Sequence, residues 1–582
     1  VDINGNLSVT TGTEGTIKLD GNSPTGSCNV ALGSGVLSNN TTGYQNTAVG
    51  SEALCSNTTG GNNVGVGTAS LYNNTEGTCN TAVGSRSLCS NTTGAYNVAV
   101  GGESLKTNTT GEWNIGIGNQ ALLANSTGGY NVAVGNESLR ANTGSCNTAV
   151  GNESLKTNTT GASNIAIGLS TLFANTTGSY NTAVGKAALS NNLTASNNTA
   201  IGFNSLFANT TGACNTAVGV SSLYTNTTGA DNVAMGKNAL YTNSTGCYNS
   251  AVGYAALKSN TTGGDNIAVG VNALYNNTTG SRNTATGSYA LYANTEGANN
   301  VAMGRVALFC NTTGICNTAI GMCALHCNTT GRENTAVGMR ALHTNTTGGY
   351  NTAIGRCALD QNTTASDNTA LGTVALRNNT TGANNTALGT NTLINNTTGN
   401  QNTAVGKSAL FYNSTGNENV AVGYNALNAN TTGFSNTALG ACSFRGNLTG
   451  QQNVSVGHLS LKASTTGNCN VAIGSRSLFS NTTASSNTAV GIWTLYANTT
   501  GADNTAVGAT ALNANTTGNQ NTAVGKSALF YNTTGVQNVT VGYNSLVHNT
   551  TGSCNVGIGN WSLYRNTTAS FNVAVGQNTL YH

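Results

Sequence analysis

The phrase Asn-Thr-Ala-Val-Gly begins at Asn46, and similar phrases begin at Asn63, Asn80, Asn97 and Asn114, so the chain repeats every 17 residues. The coil from Asn131 to Asn147 is one residue short, because Asn142-Thr143-Gly144 replaces Asn-Thr-Thr-Gly. The period then holds to Asn572, and counting from Asn29 gives 33 anchor asparagines in the 582 residues. A fixed short period decides the fold before any local propensity is weighed.

With the anchor Asn counted as zero, position 4 is Gly in every coil and position 8 is Leu in all but one, where it is Phe444. Position 3 is Val, Ile, Leu or Met, except Thr286, and positions 2 and 7 are almost always small. Positions 11 to 14 read Asn-Thr-Thr-Gly, with Ala closing the phrase at Ala195, Ala365, Ala484 and Ala569. The blocks 399–416 and 518–535 are nearly identical and lie seven periods apart, which points to growth by block duplication.

Helical repeats need about 33 residues and propeller blades about 40, so a unit this short fits one coil of a parallel β-solenoid. The fold class is therefore all-β: a parallel β-solenoid, or β-roll, of about 33 coils. Thr-Ala-Val forms one strand, the invariant Gly turns the chain, and the segment ending in Ala-Leu is expected as a second strand. Asn-Thr-Thr-Gly is the return turn, since Asn and Thr bond local backbone and Gly accepts positive φ. Strand alternation puts positions 1 and 3 on one face and position 2 on the other. This reading places the Val-like residue and the Leu in the core. Stacked at about 4.8 Å per coil, the repeats would extend roughly 160 Å as a thin rod.

Two stretches follow from the register. Residues 1–28 form an N-terminal β leader or cap, where Leu7, Val9, Ile17 and Leu19 alternate, and 29–582 form one continuous repeat shaft. The chain starts at Val1 and stops at His582, part-way through a coil, so either it continues or coils join chain to chain. Burying two apolar side chains per coil gives on the order of 4 kcal/mol. Ordering a whole coil costs several times that. The small columns at positions 2 and 7 then suggest the close approach of another protomer, which favours a homotrimeric fibre over a lone solenoid with a dry two-layer core.

Charged residues are only 6% of the chain, with 20 Lys and Arg against 17 Asp and Glu. That balance excludes a nucleic-acid surface. No apolar run is long enough to insert in a membrane as a helix. A disordered chain would carry more charge and more than the one proline here. Like charges stacked in one column would repel, so a self-stacking repeat favours Asn and Thr, which both donate and accept.

The phrase Asn-Thr-Ala-Val-Gly-x-x-Ala-Leu-x-x-Asn-Thr-Thr-Gly resembles repeats in phage tail fibres and other viral or bacterial surface fibres. It is also similar to the repeats of trimeric autotransporter adhesin heads, which are trimers of left-handed parallel β-rolls. The leader Gly5-Asn6-Leu7-Ser8-Val9-Thr10 looks like the approach to such a fibre region. The resemblance implies a structural or adhesive shaft, extracellular or on a virion surface, that spaces or presents a binding end. The alternative is a self-assembling, glycosylated extracellular filament or matrix protein.

No catalytic residue, metal ligand set or cofactor motif stands out. Glu137 and Glu153 share position 6 in adjacent coils, a spacing that would suit paired acids, but nothing concave surrounds them and two solvated glutamates on an exposed ladder is the favoured reading. Cys310 and Cys327 share position 10 in neighbouring coils, within reach of a disulfide, and the nearby Cys316, Cys323, His326 and His343 lack a closed metal-ligand spacing. Position 11 supplies Asn-x-Ser/Thr sequons, among them Asn57, Asn91, Asn108, Asn158, Asn175, Asn209, Asn226 and Asn260. These are glycosylation acceptors in a eukaryotic secretory route, or else an amide ladder. Position 9 holds 14 aromatics, including Tyr72, Phe173, Phe207, Tyr224, Tyr241, Tyr275 and Tyr292. That stripe either contacts cell-surface glycans or covers the core edge, as Lys and Arg stems in the same column can. The expected partner is the chain itself, as a homotrimer or an end-to-end filament.

Overall fold

The computed structural model describes Ile17–Lys18 and residues 25–582. Leu7, Val9 and Leu19 of the expected leader lie outside the described residues; Ile17–Lys18 is a short strand. The chain forms two compact units, one reaching Tyr289 and including Asn294–Glu296, the other comprising Ala290–Ala293 and Gly297–His582. Each is a parallel β-solenoid, and no helix occurs among the described residues.

Strands are numbered in chain order. The first unit contains β1 (Ile17–Lys18), β2 (Val30–Leu32), β3 (Thr47–Val49) and one three-residue strand per coil up to β17 (Thr284–Thr286). The second runs from β18 (Val301–Met303) to β34 (Val573–Val575). Strands pair in parallel with like positions in register, as where Thr47, Ala48 and Val49 face Val64, Gly65 and Val66. The short coil keeps this register: Val132–Val134 pairs with Thr148–Val150. The missing residue is absorbed in the turn, where Asn142 donates to the carbonyl of Gly144, two residues on, instead of three.

The second strand expected in each coil does not form; positions 5 to 10 are a run of turns. Both Ala53 and Leu54 are fully buried. Consecutive residues of a strand point to opposite faces, so a strand could not bury both. The backbone bends at position 8 instead, where every Leu, and Phe444, has φ between 46° and 55°. A left-handed residue costs roughly 1–2 kcal/mol. The turns still hydrogen-bond to both neighbouring coils: Glu52 N donates to Ser34 O at 2.8 Å and Leu54 N to Ser70 O at 2.9 Å.

The strand faces are also the reverse of the expectation. Position 2 points inward, with Ala48, Ala82 and Ala99 at 0% exposure, while positions 1 and 3 point outward. The Ala columns therefore line each coil's own interior instead of a contact with another protomer, and the Val-like column is a surface. The reason is width. The interior already holds Leu at position 8, a small residue at position 7 and two buried asparagines, so position 2 takes a small residue, Ala in most coils and Ser455 or Thr540 where it is polar. The invariant Gly meets two constraints: Gly50 has φ of 122°, and a Cβ there would lie 2.7 Å from the backbone carbon of Gly67 one coil on.

Candidate functional site

Two asparagine columns run inside each unit. At position 11, Asn57 Nδ2 donates to Asn40 Oδ1 at 2.7 Å and to Gly60 O at 3.0 Å. At the anchor, Asn46 Nδ2 donates to the same Gly60 O at 3.0 Å, and Asn46 N donates to Asn29 Oδ1 at 2.9 Å. Asn57, Asn91, Asn108, Asn158, Asn175, Asn209, Asn226 and Asn260 are all fully buried in this ladder. Each commits its amide to a neighbouring column side chain and to a backbone carbonyl, as Asn226 does to Asn209 and Gly229, both at 2.9 Å. A sugar on such a nitrogen has no place inside the folded coil.

The aromatic column is half-buried and stacks along the solenoid axis. Phe207, Tyr224 and Tyr241 follow one another at centroid separations of 5.3 and 5.1 Å, within 10° of parallel. Tyr292, Phe309, His326 and His343 form another run at 5.1 to 5.3 Å. Lys156 sits over Phe173, and Lys258 over Tyr275, whose hydroxyl it also contacts at 3.0 Å. Tyr72 lies in the same column between Cys55 and Cys89. Stacked this way, the rings spend their faces on each other and offer outward edges.

Glu137 and Glu153 are adjacent as expected, but Lys156 bridges them, with its Nζ 2.8 Å from Glu153 Oε1 and in contact with Glu137 Oε2. The bond to Lys156 holds the Glu137 carboxyl below its usual range, whereas a general acid needs the opposite shift. Cys310 and Cys327 are both free thiols, interacting with one another, and burial raises both above the usual thiol range. No group of three or more His, Cys, Asp or Glu among the described residues is arranged to hold a metal.

One charged cluster was not visible in the spacing. Asp360, at 0% exposure, takes two bonds from Arg340, from Nε and Nη2, each at 3.3 Å. Arg377 Nε lies 3.9 Å and His343 Nδ1 4.0 Å from the same carboxylate. Its partners are 17 to 20 residues away in sequence and meet only because coils stack. Burial lowers the His343 pKa, Arg340 adds to that, and Asp360 opposes it. An open groove of about 640 Å³ is lined by Tyr531, His548, Arg565 and threonines.

The sequence reading also missed the exposed face made by positions 1 and 3. Ile165 and Ile167 are 42% and 41% exposed and Leu371 is 45% exposed. Charge could not have found it, because the buried positions 2, 7, 8 and 11 are equally uncharged; the signal was the Thr that alternates with Val at position 1, against a position 2 that stays small.

No protein-family model matches the chain, and no curated protein matches it either. No helix among the described residues is long and apolar enough to cross a membrane.

Proposed function

We propose that the chain is the shaft of an extended extracellular fibre, of the tail-fibre or adhesin kind, on a virion or cell surface. It associates with copies of itself, as a homotrimer or an end-to-end filament, and spaces or presents a binding surface without chemistry of its own. One observation carries this reading. In each unit nearly every inward side chain and backbone group is spent on the coil above or below, so the repeat can lengthen without altering its cross-section. Repeats that contact only their neighbours suit a spacer. The ring edges and hydroxyls of position 9 are where weak glycan contact would fall. A self-assembling filament would use the same coils but join them end to end.

Negative-stain microscopy and sedimentation of the full chain test the reading. A fibre shaft gives narrow, elongated particles of uniform width, and their length distribution separates a discrete shaft from an open-ended filament. Compact particles with a low frictional ratio would contradict it.

A further inference from the structure

The second unit has an outward face that is regular and uncharged, with one column apolar throughout and the other made of Thr and Val. In all 17 strands from β18 to β34, position 3 is Val, Ile, Leu or Met and position 1 is Thr or Val. Met303, Leu371 and Ile473 on this face are 39% to 45% exposed. Strands spaced about 4.8 Å apart, each roughly 10 Å long, make a strip of about 800 Å². Monomeric proteins rarely leave a contiguous apolar patch above a few hundred Å², and about 800 Å² per partner is a standard specific interface.

The two long edges of the strip carry opposite charge. Along the edge just before the anchors stand Glu333, Asp367, Glu418 and Asp503, with no cation in that column of this unit. Along the edge just after the invariant Gly stand Arg305, Arg356, Lys407 and Lys526, with no anion. All eight are exposed. Copies related by rotation about an axis parallel to the solenoid bring the acidic edge of one against the basic edge of the next. Antiparallel copies would set acid against acid and base against base. The levels agree as well. Arg356 and Asp367, Lys407 and Glu418, and Asp503 and Lys526 each border adjacent strands. A partner with any other axial repeat would drift out of register along the stack, while a second copy has the same repeat.

We infer that this face docks a second copy of the chain with its axis parallel, the Thr and Val columns packing together and the charged edges pairing. The inference rests on the self-association in the shaft reading and adds to it a face and a polarity. The outward position of the columns means that substitutions there leave the coil intact.

The test measures the mass of the full chain by sedimentation at low and high salt. The wild type is expected to associate, and to do so more weakly as salt rises. The triple variant Val456→Lys, Val490→Lys, Val524→Lys should weaken association by on the order of 100-fold or more, through unpaired charges in the contact, with an unchanged circular dichroism spectrum. Reversing the four acids to Lys should weaken association, and adding the reciprocal change of the four cations to Glu should restore it. Association that survives the lysine triple overturns the face. Association that strengthens with salt and ignores the acid reversal overturns the parallel polarity. A chain that is monomeric at every concentration overturns both the inference and the self-association in the shaft reading, whereas association that survives the lysine triple in elongated particles overturns the inference alone.

Discussion

Asn57 hangs from Asn40: its Nδ2 donates to the Asn40 side-chain oxygen one coil earlier at 2.7 Å, and its other amide hydrogen goes to the carbonyl of Gly60. That contact, repeated up each unit, accounts for a core that is half polar. A buried amide is tolerated only when its donors and acceptor are all used, and an identical neighbour one rise away uses them.

The ladder has a natural fault. At Ser464 the column loses its amide, Asn481 Nδ2 reaches Ser464 Oγ only at 3.5 Å, and Asn447 Oδ1 turns back to accept from Gly450 N. Ser464→Asn should therefore raise stability by about 1 kcal/mol, and Asn226→Ala, in an intact stretch, should lower it by about 1–3 kcal/mol. Thermal unfolding followed by circular dichroism measures both; a neutral Asn226→Ala would mean the column is not the structural element described.

Gly338 has φ of 130°, and a Cβ there would sit 2.6 Å from the carbonyl oxygen of Gly355. Gly338→Ala should destabilise by more than about 2 kcal/mol, because strain and clash act together. Thr335→Val, on the outward face of the strand that Gly338 follows, should change stability by less than about 1 kcal/mol.

Leu410 and Val405 separate the two sides of one coil. Leu410 is fully buried, and Val405 is half-buried on the outer face. Leu410→Ala should cost about 2–5 kcal/mol, and Val405→Ala about 1 kcal/mol or less. Chemical denaturation at a concentration where the chain is monomeric gives the comparison.

How much of this could be read from the sequence follows from the same pair of residues. Period, strand position and register were legible because each depends on spacing alone. Which face was inside was not. Alternation shows that Val405 and Thr403 share a side, but only the width left by Leu410 and the two Asn columns decides that Ala404 takes the interior. The turn at position 8 was hidden because a left-handed Leu is rare, and Asp360 because its partners belong to other coils.

His326 and His343 stack at 5.2 Å, and burial pushes both imidazoles below their usual pKa. The folded state therefore favours the neutral rings. Stability is fully present above the unfolded value of about 6.5 and is lost as pH falls from there toward the folded values, because the unfolded chain takes up protons first. The melting temperature should be flat above neutrality and fall on acidification through about pH 6.5. The double variant His326→Phe, His343→Phe should flatten that slope, and an unchanged slope would place the titration elsewhere.

The central claim is that one chain closes each coil around its own Ala, Leu and Asn columns and leaves Thr and Val outside. A side-chain-resolution density map tests it most directly. One strand per coil, position-11 amides linked inside a single chain, and the side chains of Val405 and Val422 on the outer surface or against a second copy are the expected result. Density that puts those valines inside the coil, or that places the Ala columns between chains, would contradict it.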